Sequence, residues 1–150
     1  MGVYRGIAQD NVTINSGNAT LQTLTVTGAL TASGGVTGAL TGNVTLPVAA
    51  VAAAGNDNTN AAAITAYGVV HATGADGTKG VKLPAAAAGK VVIVKNSDAA
   101  NAILKVYPGA SDKINSGTAT TGSLNMAAKT AAMFVAIDDV DWFTVPLLPS

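Results

Sequence analysis

The run KVVIVKN, from Lys90 to Asn96, and the run AILKVYPG, from Ala102 to Gly109, decide the fold class of this chain. Each is short, rich in β-branched residues, and stopped by Asn or by Pro-Gly, which is how a strand ending in a turn is written in sequence. The same pattern extends in both directions. Upstream come AITAYGVVHAT from Ala63, the turn TGADGTKG from Thr73, and VKLP from Val81. Downstream come ASDKINSG, then SLNMAAKTAAMFVAIDD, where Met133, Val135 and Ile137 alternate with Phe134 and Ala136, then a last strand opened by Trp142 and Phe143. About six to eight strands at this spacing predict an all-β head over residues 64–150, of β-sandwich or jelly-roll-like type.

Upstream of the head the chemistry changes. Between Asn11 and Ala75 the only charged residue is Asp57, whereas seven of the eight Lys and Arg residues lie from Lys79 onward. A soluble monomer keeps itself dispersed with a charged, patch-free surface, so this uncharged stretch is expected either to be buried between chains, the favoured reading, or to be heavily hydrated through its Thr, Asn and Ser residues. Within it the units VTGALTAS, from Val26, and VTGALTGN, from Val36, repeat on a short period, preceded by LQTLTVT and followed by NVTL. Frequent Val and Thr favour strand, and glycines at 28, 34, 35, 38 and 42 punctuate it.

A ribbon of this length has no second layer against which to bury Val and Leu. Three copies wound about one axis supply that layer. Leu21, Leu24, Val26, Leu30, Val36, Leu40, Val44 and Leu46 then form the interior of an intertwined trimeric β-stalk over residues 13–47, each contributing roughly 1.5 to 3 kcal/mol when fully buried. Pro47 closes the repeats, and the Ala-rich residues 48–63, with GNDNTN in their second half, read as a neck. Residues 1–12 read either as a frayed terminus or as an N-terminal docking arm with Val3, Tyr4, Arg5 and Ile7 as its contact residues, and the arm is kept because a stalk needs an attachment at its particle end.

Candidate chemistry is sparse. Glu and Cys are absent and His71 is the single histidine, which removes thiol chemistry, Cys-type zinc sites and Glu-based paired-carboxylate hydrolysis. No enzymatic activity and no cofactor are expected. Asp138, Asp139 and Asp141 are the one place where carboxylates gather, a weak calcium candidate that reads better as a hairpin turn. Zero net charge and the lack of a basic cluster argue against nucleic acid, and the apolar run from Val48 to Ala54 is too short to span a bilayer. Trp142, Phe143, Tyr107 and Phe134 read as core, with sugar stacking as the alternative.

Two stretches carry a resemblance. VTGALTAS and VTGALTGN look like the Thr/Gly/Ala/Leu repeats of phage fibre proteins, which form interwound parallel trimers. Residues 81–145 resemble a β-module of tailed-phage virion proteins, with an LPA start, a VKN strand, a VYP strand, a D-x-I-N-x-G turn and a final Trp-bearing strand. The resemblance implies a homotrimeric head-decoration or head-fibre protein on the capsid exterior, made in the host cytoplasm, with the major capsid protein as partner. It carries no catalytic residues. The alternative it leaves open is a tail-fibre tip that binds a host receptor or surface glycan.

Overall fold

The structure is a computed structural model that describes residues 45–109 and 111–145. The described residues are all-β and belong to one compact unit, Asn43–Ser150. Two sheets share its core. The first holds, in spatial order, β1 (Val48–Ala52), β3 (Gly68–Thr73), β5 (Val91–Asn96), β9 (Ala131–Ala136), β10 (Asp141–Val145) and β7 (Lys113–Ile114). The second holds β2 (Ala62–Ala63), β4 (Gly80–Lys82), β6 (Leu104–Tyr107) and β8 (Leu124–Met126).

The chain reaches this order by coiling. From β1 to β6 it alternates between the sheets, so β1, β3 and β5 stack in parallel in one and β2, β4 and β6 in the other, as in a β-solenoid. The coil is then closed: β8 runs antiparallel to β6, β9 adds antiparallel to β5, and β10 adds antiparallel to β9. The last addition, β7, pairs in parallel with β10 at the sheet edge.

Strand alternation delivers every second side chain to the space between the sheets. Register stacks Gly68, Val92, Phe134 and Thr144 in one row and Val70, Val94 and Ala132 in the next. Facing them from the second sheet are the row Val81, Val106, Leu124 and the pair Leu104, Met126. Large and small alternate: Trp142 lies opposite Ala136, and both Trp142 and Phe134 are wholly buried. Truncating either to Ala removes about 3–5 kcal/mol, a large share of the roughly 5–15 kcal/mol that holds a domain together.

The residues 48–63, read from sequence as a neck, contain β1 and β2 and belong to this unit. Alanine favours helix on its own, but here Ala49 and Val51 lie opposite Val70 and Ala72 in a parallel ladder, and that pairing overrides propensity. The turn material behaves as its residues demand. Asp57 accepts the N–H groups of Thr59 and Asn60, and Asp76 accepts those of Thr78 and Lys79. The Lys79 and Thr78 donors hold the exposed Asp76 carboxyl well below the usual carboxylate range.

Asn96 joins the two sheets. Fully buried at the end of β5, it donates from its amide nitrogen to the carbonyls of Ala102, at 2.9 Å, and of Met126 in β8, at 3.1 Å. Its side-chain oxygen accepts the Asp98 N–H. Asn96→Asp replaces that double donor with a carboxyl aimed at two carbonyl oxygens, so the folded-state pKa of the new group rises above the ordinary value of about 3.9. The penalty relative to the native chain is therefore smallest below about pH 4 and grows as pH rises, to about 3 kcal/mol or more near neutrality. Urea unfolding followed by Trp142 fluorescence at both pH values checks this, and an equal penalty at both contradicts it.

Candidate functional site

The buried polar side chains of the 81–145 stretch, Asn96, Asp112, Asn115 and Thr144, are hydrogen-bonded within the fold. Asp112, buried, accepts the Ala86 N–H on Oδ2 at 2.8 Å and so ties the turn before β7 to the LPA segment. Ile114 is core. Asn115, at φ 53°, donates its backbone N–H to Trp142 O, and its side chain continues the ladder where β7 ends: Oδ1 accepts Thr144 N–H at 3.0 Å, and Nδ2 donates to Thr144 Oγ1 at 3.1 Å. The Gly117 N–H then closes the turn on Ile114 O. Sequence reading took D-x-I-N-x-G as a turn; it is a turn whose side chains also clamp the distant LPA segment and strand β10.

On the outside of the second sheet a groove of about 460 Å³ lies between the loop Asn56–Thr59 and the segment from Thr120 to Ser123, lined also by Lys105 and Tyr107. The Tyr107 side chain is covered, with its hydroxyl donating to Asn56 O, while Asn58 Nδ2 donates to Pro108 O. Its ring lies against Gly80, where a Cβ would sit 2.6 Å from Tyr107 Cε2, so only glycine fits. Of the four aromatics weighed for sugar stacking, Trp142, Phe134 and Tyr107 are buried and Phe143 is partly exposed.

The three candidate carboxylates are placed at the β9–β10 turn. Asp138 Oδ1 accepts the N–H groups of Val140 and Asp141, at 2.8 and 2.7 Å, which is the Asx geometry a hairpin turn calls for. Asp141 makes an ion pair with Lys113 at 3.1 Å. Asp139 is exposed. Among the described residues, no three His, Cys, Asp or Glu side chains converge as a metal site would require, and no helix is long and apolar enough to cross a membrane. His71 is exposed on the outer face of the first sheet, in register with Ala50 and Lys95.

That outer face is the feature sequence reading missed. Register places Val48, Val69, Ile93, Met133 and Val145 side by side in one row across five strands. A second row, Val91, Val135 and Phe143, runs next to it. Val48 is 67% exposed, Val145 56% and Phe143 37%. Next to the belt lie His71 and Lys95 on one side and, on the other, Asp141 paired with Lys113 beside the exposed Ile137. The second sheet instead turns Lys82, Lys105 and Asn125 outward. The signal was present as the outward half of each alternating strand, but it becomes a belt only once strand order is known.

The docking residues Val3, Tyr4, Arg5 and Ile7, and the ladder residues Leu21, Leu24, Val26, Leu30, Val36, Leu40 and Val44, lie outside the described residues. Leu46, the last of the ladder, is described and is 42% exposed. No family model, curated protein or solved structure matches the chain.

Burial, and then the neighbouring Asp57 charge, push the Tyr107 phenol above its ordinary value of 10.0. A raised phenol pKa contributes stability that is complete below the unfolded value and is lost as pH climbs through the folded one. Tyr107→Phe removes the bond to Asn56 O and this dependence together. The expected outcome is a cost of about 1 kcal/mol at neutral pH and a shallower loss of stability above about pH 10, read from urea midpoints. An unchanged alkaline limb contradicts the assignment.

Proposed function

We propose that this chain is a structural, non-enzymatic virion protein of a tailed phage: a homotrimeric decoration or head-fibre protein on the capsid exterior. Its finer architecture in this reading is an intertwined trimeric β-stalk carrying a two-sheet, jelly-roll-like head. Residues 1–12 dock on the major capsid protein, and the Val/Leu ladder from Leu21 to Leu46 holds three chains together. A trimer suits a local three-fold of a shell, and three weak arms engaging at once multiply the effective affinity.

The observation that carries the reading is the use of the motif residues. Three polar members of the phage-like module, Asn96, Asp112 and Asn115, are buried and bonded within the fold. They support a rigid scaffold that needs no disulfide, as suits a protein exposed on a particle after synthesis in a reducing cytosol. The glycan-binding alternative leans on an aromatic platform, and among the described aromatics Trp142, Phe134 and Tyr107 are buried, leaving only Tyr67 and Phe143 partly exposed.

Removing residues 1–12 is expected to abolish binding to capsids stripped of this protein while leaving the oligomer intact. Sedimentation of stripped capsids with the full and shortened chains measures it. Full occupancy by the shortened chain refutes the docking role, and binding of the full chain to host cells in place of capsids favours the tail-fibre reading.

A further inference from the structure

We propose that the polar groove on the outside of the second sheet is a saccharide-binding site, which takes a mono- or disaccharide through hydrogen bonds to its hydroxyls. The inference goes beyond the structural reading above and does not depend on how many chains assemble, since every wall of the groove belongs to one copy.

The groove is built before any ligand arrives. Its floor is the outer side of β6, where Lys105 and Tyr107 stand. One wall, Asn56–Thr59, is fastened to that floor: the Tyr107 hydroxyl donates to Asn56 O, and Asn58 Nδ2 donates to Pro108 O. The same loop is stiffened from within, because Asp57 Oδ1 accepts the Thr59 and Asn60 N–H groups. The opposite wall, from Thr120 to Ser123, hangs on Asp112, whose carbonyl accepts the Thr120 N–H at 2.8 Å while its buried carboxylate holds the Ala86 N–H. That wall carries an uncommon backbone. Thr120 is β-branched and sits at φ 65°, a conformation such residues rarely adopt and one that clusters at ligand sites. Walls fixed in advance leave little ordering cost for a ligand to meet.

Chemistry selects the ligand. Asp57 and Lys105 give the lining one charge of each sign, so the groove as a whole favours neither a plain anion nor a plain cation. Among the described residues Lys105 has no carboxylate partner; the two ion pairs there are Lys79 with Asp76 and Lys113 with Asp141. The hydroxyls of Thr59, Thr121 and Ser123 likewise make no bond within the described residues. Donors and acceptors are therefore interleaved on one concave surface, and a sugar hydroxyl is a ligand group that donates and accepts from the same atom. The volume of about 460 Å³ lies within the roughly 300–1,000 Å³ of small-molecule sites. No aliphatic side chain lines it, and the Tyr107 ring is covered, so an apolar ligand finds no surface there. Hydrogen bonds alone then set the affinity, which is expected in the millimolar range for a single groove.

Heteronuclear NMR on the full-length chain tests this, with glucose, galactose, mannose and N-acetylglucosamine as separate probes and with sodium acetate and triglycine as comparators. At least one saccharide is expected to shift the amide signals of Asn58, Lys105, Thr121 and Ser123 saturably, with no such shift from either comparator. Lys105→Met, which keeps the stem and removes the ammonium, is expected to weaken that binding about tenfold. Thr121→Ala on the opposite wall is expected to weaken it several-fold. Trp142 fluorescence confirms folding, and the two variants guard against either one failing. Groove signals that stay still toward every saccharide overturn the inference, as does saturable binding that the folded variants leave unchanged. Acetate held as tightly as any saccharide makes the groove a plain anion site at Lys105, and triglycine held so makes it a peptide site; either result overturns the inference.

Discussion

Everything described here depends on one dry layer between two unequal sheets. Parallel coils cannot be closed by tight hairpins, because each strand must cross to the other sheet before its successor pairs with it. The crossings leave loops whose backbone groups need partners. Asn96, Asp112 and Asn115 supply them from within, each linking segments far apart in sequence. Within the apolar rows large residues meet small ones, with Trp142 opposite Ala136 and Phe134 in the row that begins at Gly68.

With the interior settled, the exterior carries the functional information, and its two faces differ. The second sheet turns lysines and an asparagine to solvent, and a loop covers its tyrosine. The first sheet turns out Val, Ile, Met and Phe across five strands. Such a face is a liability for a free monomer and an asset for a protein that works in copies. Strand β1 adds to the case. It stands at the edge of the first sheet and reads VAAVA, with none of the charges or prolines that blunt an exposed edge.

How much of this was legible depended on whether the signal was local. Alternation at Val91–Asn96 and Ala131–Ala136 is a local property, and the all-β class follows from it. So does the Asp138 turn, since an Asx turn needs only the next few residues. Scarcity in a small β-domain pointed to all four aromatics as core, which holds for Trp142 and Phe134, whereas Tyr107 is covered by a loop outside the second sheet and Phe143 faces outward, a difference set by strand order. Strand order was not, because nothing in β1 or β3 records that the chain coils before it closes. The Ala-rich residues 48–63 misled for the same reason: their helix-friendly, linker-like composition is local, while the ladder with β3 that makes them strand is not. The apolar belt needed that order too, since its members lie in five separate runs.

The central proposal is that this polypeptide works as a trimer, with the Val/Leu ladder expected from its sequence buried between the three chains. Sedimentation equilibrium on the full 14.6 kDa chain, carried down to low micromolar concentration, tests it most directly. The account predicts a mass of three chains, with no lighter folded species on dilution. A well-folded single chain with native Trp142 fluorescence at micromolar concentration would contradict it.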